Sequence, residues 1–378
     1  MEIMVTAEFW RNRRIALIGH TGFKGSWLGF WLTELGAQVH GFGQTAETHP
    51  ALFEQLSLAR RLSHQLGDIR EPEAVRNWLH QIQPEVVFHL AAQPLVRRSY
   101  REPLLTWQTN VMGTVHLLEA ARTLQKPCAI VVVTTDKVYE NQEWAYAYRE
   151  VDRLGGYDPY SSSKAATELA VASWRSSFLG DSNIRVATAR AGNVIGGGDW
   201  SEDRIVPDMV RALEADKPIG VRNPQAVRPW QHVLEPLSGY LQLAEKLATQ
   251  DDPAWQSAFN FGPEAADFRS VQELVEESLR QWPGSWQDQS DPNAPHEANL
   301  LSLTIEKARQ QLGWQPKWDF AEAVSKTISW YRDVLQYTQD PAKLCRQQIQ
   351  EYQETRSLKQ PSLTNGVGTS KGLLNGDD

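Results

Sequence analysis

The sequence predicts an α/β fold, a doubly wound parallel sheet followed by a smaller C-terminal lobe. Three observations predict it. Short apolar runs alternate with helix-length amphipathic segments through the first half of the chain. A glycine-rich loop joins the first run to the first helical segment, and the alternation breaks at about residue 193. Strands separated by helices of that length are joined by crossovers, which makes the sheet parallel.

Each element has its own justification. Arg14 to Ile18 reads as a buried strand, because its apolar residues run together without polar alternation. Ser26 to Leu35 carries a nearly continuous apolar face and reads as a helix, and Val39 to Phe42 is the second strand. Pro72 to Ile82 reads as a helix and Val86 to Leu90 as a buried strand. Helix periodicity runs from Thr106 to Leu124, and Ala129 to Val133 is a strand of β-branched residues. Pro159 to Phe178 is helical, and Ile184 to Ala189 closes the series as a strand. Beyond Gly196-Gly197-Gly198-Asp199 the expected elements are shorter, with proline and tryptophan among them. From about Arg356 the chain loses periodicity and reads as a disordered tail. The expected organisation is therefore a doubly wound domain over 1–192 with returning segments, a smaller lobe mainly over 193–355, and a tail over 356–378.

Composition narrows the function. The 378 residues are 41% apolar and 22% charged, enough for a packed core. Thirty-eight basic against 46 acidic residues give −8, which disfavours a nucleic-acid or membrane-surface binder. Cys128 and Cys345 are too few for a disulfide framework, and no apolar run approaches the roughly 20 residues of a spanning helix. A cytoplasmic globular protein is expected, and no residue set is assigned to a metal.

The loop Gly19-His20-Thr21-Gly22-Phe23-Lys24-Gly25 spaces three glycines between a buried strand and a helix. Glycines there let the backbone turn sharply and approach a pyrophosphate held against the helix N-terminus. His20 and Lys24 either touch that pyrophosphate or point to solvent. The position of a ribose-binding acid, about 20 residues on, falls at Gly43-Gln44-Thr45. No acid ends the second strand and no arginine awaits a 2′-phosphate, which favours NAD over NADP. Asp68 reads either as a partner of the adenine amino group or as a turn or N-cap aspartate.

Tyr160-Ser-Ser-Ser-Lys164 puts a phenol and an ammonium four residues apart on one helical face. Asp158 and Pro159 read as N-cap and N1, which places Tyr160 in the first turn. A tyrosine with a pKa of about 10 acts as a base near neutrality only if lowered by roughly 3 units, about 4 kcal/mol. Lys164, the helix dipole and an oxidised nicotinamide together are expected to supply that. The preceding strand ends in Thr134-Thr135-Asp136-Lys137, at the carboxyl edge where such sheets bind ligands. Thr135 is placed to share a hydrogen bond with a reacting hydroxyl. Asp136 and Lys137 add an acid/base pair that simple alcohol oxidation does not require, or else form an exposed ion-bearing turn.

These residues resemble an extended short-chain dehydrogenase/reductase of Rossmann type, and within that superfamily the sequence is similar to the CDP-glucose 4,6-dehydratases. The resemblance runs from about Trp10 to about Val334. It is carried by residues 19–27, His89-Leu90-Ala91-Ala92-Gln93-Pro94, Thr134–Lys137 and Tyr160–Lys164. It continues in Arg190-Ala-Gly-Asn193-Val-Ile-Gly-Gly-Gly-Asp199-Trp200, Arg228-Pro-Trp-Gln-His232 and His296-Glu297-Ala298. The glycine loop and Tyr-x-x-x-Lys are common to the superfamily, and the Asp-Lys pair is more specific. dTDP-glucose dehydratases show Asp-Glu at that pair, and epimerases usually lack it. The sequence departs from the pattern in Thr134-Thr135 and in its extra tail.

The resemblance implies oxidation of CDP-glucose at C4, loss of water across C5 and C6, and return of the hydride to C6, giving CDP-4-keto-6-deoxy-D-glucose. It implies NAD tightly bound and regenerated each turnover. The implied cofactor-binding residues are Gly19, Thr21, Gly22, Phe23, Lys24, Gly25, Asp68, Ile69, Leu90, Ala91, Ala92, Gln93, Asn110, Tyr160 and Lys164. Tyr160 is the implied base at C4, Asp136 the acid at C6 and Lys137 the base at C5, with Thr135 and Lys164 completing the catalytic set. Asn193, Arg204 and Arg228 fall at positions near the substrate pyrophosphate, and Trp230 is expected to line the base pocket. Asn110 is expected to position Lys164 or the nicotinamide ribose, and His89 to be a buried strand histidine. The helices near 106–124 and 159–178 resemble the pair through which the superfamily forms homodimers or dimers of dimers. The competing readings are a dehydratase or 4-epimerase for another nucleotide sugar, and a non-catalytic NAD-binding module. Surface-polysaccharide deoxysugars are the implied destination of the product.

Overall fold

The computed structural model describes residues 5–291 and 300–355. His296-Glu297-Ala298 and the tail from Arg356 lie outside the described residues. Six strands appear in the first half: β1 (Arg14–Ile18), β2 (Gln38–Gly43), β3 (Ser63–Leu66), β4 (Val86–His89), β5 (Cys128–Val133) and β6 (Ile184–Arg190). With the returning strand Ala258–Asn260 they form one seven-stranded sheet. Its order is Ala258–Asn260, β6, β5, β4, β1, β2, β3, and every pairing is parallel. The order reverses between β1 and β4, so a crevice opens beyond their carboxyl ends.

The burial pattern explains the sequence pattern. β4 and β5 are buried at every position, as expected of central strands covered by helices on both faces. β3, at the edge, is mostly exposed, and its residues Ser63-His64-Gln65-Leu66 lack the apolar run that marks the others. Helix Phe23–Glu34 begins three residues earlier than its apolar face suggests, directly after Gly22. The predicted helix 106–124 starts at Pro103 and ends at Ala121, with a π-helical stretch at Gln108–Met112. The predicted helix 159–178 is α-helical to Trp174 and π-helical over Arg175–Leu179.

The expectation of shorter elements after residue 193 is corrected. Helices Leu234–Thr249 and Phe320–Leu335 have 16 residues each and Pro341–Glu354 has 14. Their prolines, Pro236 and Pro341, sit in first turns, where a missing N–H costs no helical hydrogen bond. Trp314, Trp318 and Trp330 are core side chains holding these helices to one another. Helix Leu234–Thr249 packs on β5 and β6, so part of the second half of the chain returns to cover the sheet.

Candidate active site

A cleft of about 1010 Å³ opens over the carboxyl ends of β1, β4 and β5. One wall is the glycine loop. Gly19 has φ +88°, and a β-carbon there would lie 2.5 Å from the Ala91 nitrogen. A β-carbon at Gly25 would lie 2.0 Å from the Gly19 oxygen. Only glycine permits this close cradle, which ends at the N-terminus of helix Phe23–Glu34 with no acidic residue in its first turn. The dipole and N–H groups of that turn favour an anion.

Gly19, Thr21, Gly22, Phe23, Lys24 and Gly25 all line the cleft, as do Asp68, Ile69, Leu90, Ala91 and Ala92. Lys24 faces inward; burial, aided by Arg204, pulls its ammonium down to about 7. His20 follows neither of its predicted readings. It is fully buried beneath Gly41, with its Nε2 2.7 Å from His64 Nδ1 and its ring edge against Phe53. Burial holds it neutral, with a pKa of about 4. Asp68 makes the turn contact, accepting from the Arg70 backbone N–H at 2.9 Å, from the Arg70 guanidinium and from Gln44 Nε2 at 2.8 Å. Those Arg70 hydrogen bonds keep its carboxyl below the usual range.

Gln93 and Asn110 sit behind the cleft. The Gln93 carboxamide bonds Thr106 and the Leu95 backbone, while Asn110 bonds the Gln93 backbone and Ser163 Oγ. Asn110, within a π-helical stretch that the sequence pattern does not signal, braces Ser163, the residue before Lys164. His89 is the buried strand histidine expected, 2.9 Å from Thr114 Oγ1.

The candidate catalytic residues converge from two elements. Thr135, Asp136 and Lys137 follow the end of β5, and Tyr160 and Lys164 project from helix Pro159–Trp174; all five line the cleft. Asp158 caps that helix, accepting from the Ser161 N–H at 2.9 Å, with Pro159 at N1. Thr135 Oγ1 donates to Asp136 Oδ1 at 2.8 Å and also hydrogen-bonds Tyr160. Asp136 is 1% exposed, so the reading of an exposed turn does not apply to it.

The predicted lowering of Tyr160 is not met by the chain's own groups. Burial raises the phenol to about 12, against the opposing pull of Thr135 and Arg204. Lys164 Nζ donates to the Val133 carbonyl at 3.2 Å, and burial lowers it to about 8, opposed by Glu168.

Among the substrate candidates, Arg204 pairs with Asp199 at 3.2 Å, Arg228 is buried against the Val227 carbonyl, and Trp230 Nε1 donates to the Arg269 carbonyl at 3.1 Å. All three line the cleft. Asn193 lines it too, but its Nδ2 donates to Asp136 Oδ2 at 3.1 Å. Sequence reasoning missed the buried pair Glu168–Arg190, whose signal was Glu168 standing one helical turn after Lys164. It also missed Arg97, on the short helix Val96–Arg101, and Asn141, Tyr157 and Arg222, which reach the cleft from loops without a motif. Among the described residues no group of His, Cys, Asp and Glu is placed to hold a metal ion, and no helix is long and apolar enough to cross a membrane.

Comparison with known proteins agrees with this geometry. The GDP-mannose 4,6 dehydratase family matches residues 17–327. The chain is 46% identical to a CDP-glucose 4,6-dehydratase of Salmonella typhimurium over 87% of its own length and 93% of that protein's. It is 32% identical to a dTDP-glucose 4,6-dehydratase of Streptomyces antibioticus, covering 71% of this chain and 75% of that one. Its fold is shared with a solved dTDP-glucose 4,6-dehydratase of Bacillus anthracis in complex with NAD, at TM-score 0.72 and 21% identity over 86% and 98% of the two chains. A UDP-glucose 4-epimerase of Thermotoga maritima, solved with UDP-glucose, superposes equally well, at TM-score 0.73 and 21% identity over 85% and 99%. By the extent of the family match and the identity to these dehydratases, the chain belongs to the GDP-mannose 4,6 dehydratase family, within the extended short-chain dehydrogenase/reductases.

Proposed function

We propose that this protein is an NAD-dependent hydro-lyase that converts CDP-D-glucose to CDP-4-keto-6-deoxy-D-glucose and water. The observation that carries the reading is the placement of Asp136 and Lys137 beside Tyr160 in one cleft, a carboxyl and an amine beyond what alcohol oxidation uses. Identity of 46% to a CDP-glucose enzyme, against 32% to a dTDP-glucose enzyme, supports cytidine as the base.

The glycine cradle fits a dinucleotide, since β-carbons at Gly19 and Gly25 would fill it. The residues that would hold NAD are those of the glycine loop, with Asp68 and Ile69 toward the adenosine, Leu90 to Ala92 along the crevice, and Tyr160 and Lys164 at the nicotinamide; Gln93 and Asn110 act from behind. When bound, NAD would supply reversible hydride transfer between C4 and C6 of the sugar, with no net redox change.

The chain's own groups move the protons. Tyr160 receives the C4 hydroxyl proton, with Thr135 holding the same oxygen. The positive charges of Lys164 and of the oxidised cofactor then offset the burial that otherwise keeps the phenol protonated. The C4 ketone acidifies C5–H, and Lys137 accepts that proton. Asp136 protonates the C6 hydroxyl as the C6–O bond breaks, and water leaves. Arg204 and Arg228 suit the diphosphate, and Trp230 suits the nucleobase.

The reading assigns 1–192 and the returning segments to cofactor and 193–355 mainly to substrate. Helices Pro103–Trp107 and Pro159–Trp174 pack side by side and leave Leu104, Trp107 and Leu169 exposed, which supports a homodimer through this pair. Cys128 and Cys345 are unbridged and buried, consistent with a cytoplasmic enzyme. The test is to incubate the protein and NAD separately with CDP-glucose, dTDP-glucose, UDP-glucose and GDP-mannose and to follow mass. Loss of one water from CDP-glucose alone is expected. An unchanged mass with altered stereochemistry means a 4-epimerase, and no reaction with any of the four removes the assignment.

A further inference from the structure

The segment Gly192-Asn193 is shaped around Asp136. Asn193 Nδ2 donates to Asp136 Oδ2 at 3.1 Å, while Thr135 Oγ1 donates to the other oxygen at 2.8 Å. One donor on each oxygen fixes the plane of the carboxyl group. A β-carbon on Gly192 would lie 1.9 Å from Asp136 Oδ2, so the backbone presses against the carboxyl and only glycine allows it.

Asn193 reaches its position in a left-handed conformation, φ +49°, which costs free energy for any residue with a β-carbon but least for Asn and Asp. The surroundings hold it there. Gln231 donates its backbone N–H to the Asn193 carbonyl at 3.3 Å, and its side-chain amide to the Gly192 and Phe261 carbonyls at 3.2 and 3.0 Å. A conformation held so firmly at an unfavourable φ marks a constraint of the site.

We infer that Asn193 is a positioning residue for Asp136 in water elimination, aiming the carboxyl at the C6 hydroxyl. The inference rests on the dehydratase reading above. In that step Asp136 gives its proton to the C6 oxygen, the C6–O bond breaks, the C5–H proton passes to Lys137, and the freed pair forms the C5=C6 bond. Asn193 exchanges no proton.

Two variants test this in single-turnover reactions with NAD and CDP-glucose, quenched and read by mass. Asn193→Gly keeps the positive φ and deletes the amide. It is expected to slow water loss at least tenfold, so that the 4-keto hexose nucleotide, lighter by two hydrogens, accumulates, with KM changed less than twofold. Asn193→Asp keeps size and φ preference but sets a carboxyl against Asp136. Its water loss is expected to fall further and to recover toward acid pH, as one carboxyl of the pair takes up a proton. A rise in KM of tenfold or more with no 4-keto intermediate overturns the inference in favour of phosphate binding. Wild-type kinetics in both variants overturn it outright, and an Asn193→Asp loss that no pH restores reduces it to a structural role. Wild-type protein that releases no water from CDP-glucose removes the dehydratase reading and this inference with it.

Discussion

Glu168 and Arg190 form a two-pronged ion pair, at 2.9 and 3.0 Å, with side chains 4% and 3% exposed, one helical turn beyond Lys164. Thr134 and Thr188 donate to the same carboxylate, and Arg190 also bonds the Tyr139 hydroxyl. The network ties the end of β5, helix Pro159–Trp174 and β6 together directly behind the reactive groups. It also raises the Lys164 ammonium against the lowering effect of burial.

Deleting one partner strands a buried charge. Glu168→Ala is expected to lower unfolding free energy by about 3–5 kcal/mol, measured by urea denaturation. Glu168→Gln, which keeps the shape and one acceptor, is expected to lose less. Equal stability of wild type and Glu168→Ala would show that the pair carries no net weight.

The strands at the centre of the sheet were legible because central parallel strands are apolar runs, and β1, β4 and β5 are such runs, whereas β6 interleaves Arg185 and Thr188 with its apolar residues. β3 was nearly invisible, since an exposed edge strand needs no apolar face. That Thr135, Tyr160 and Lys164 meet in one cleft was legible because one helical turn separates Tyr160 from Lys164 and Thr135 stands at a strand end. Pair interactions across long sequence separations were not. Nothing local in the sequence says that His20 lies on His64, 44 residues away, or that Asn193 reaches back 57 residues to Asp136. The phenol's raised pKa was equally hidden, because it is set by burial, which appears only once the lobe covers the cleft.

A second buried acid makes stability depend on pH. Glu235 accepts from the backbone N–H groups of Trp318 and Lys317 at 2.8 and 3.0 Å and from the Tyr352 hydroxyl at 2.7 Å. Burial raises it from 4.5 to about 7, with those hydrogen bonds opposing. The folded protein therefore binds more protons than the unfolded chain between these values. This stabilisation is fully present below 4.5 and is lost as pH rises to about 7, some 3 kcal/mol at about 1.4 kcal/mol per unit. Glu235→Gln should flatten that part of the profile and be more stable than wild type at pH 8. A profile with the same slope in both proteins would assign the pH dependence to other groups.

The exposed apolar residues of the helix pair give the oligomer prediction. Leu104 is 78% and Leu169 60% exposed on neighbouring helices, with Trp107 and Met112 beside Leu104 along the chain. A second copy of the chain would bury such a surface. Light scattering should give the mass of a dimer for the wild type, and Leu104→Arg with Leu169→Glu should give a monomer that retains its fold. A wild-type monomer at micromolar concentration would exclude this interface.

The division of labour between Tyr160 and Asp136 separates dehydration from epimerisation most sharply. In the proposed mechanism Tyr160 starts the sequence at C4, and Asp136 is needed only when water leaves C6. The two stand one hydroxyl apart, since Thr135 bonds both, so loss of either leaves the same cleft around the sugar. Tyr160→Phe removes the proton acceptor and is expected to slow the first chemical step by about 10²–10⁴-fold, leaving the sugar nucleotide at its starting mass. Asp136→Asn keeps the acceptor at C4 and removes the proton donor at C6. Its sugar should be oxidised at C4 and stop there, two hydrogens lighter and still carrying its C6 hydroxyl. Lys137→Met should stop at the same 4-keto species, and its C5 proton should not exchange with deuterated solvent, whereas in Asp136→Asn that exchange should continue. An epimerase needs neither residue, and full turnover by both variants would assign the elimination to other groups or show that none occurs.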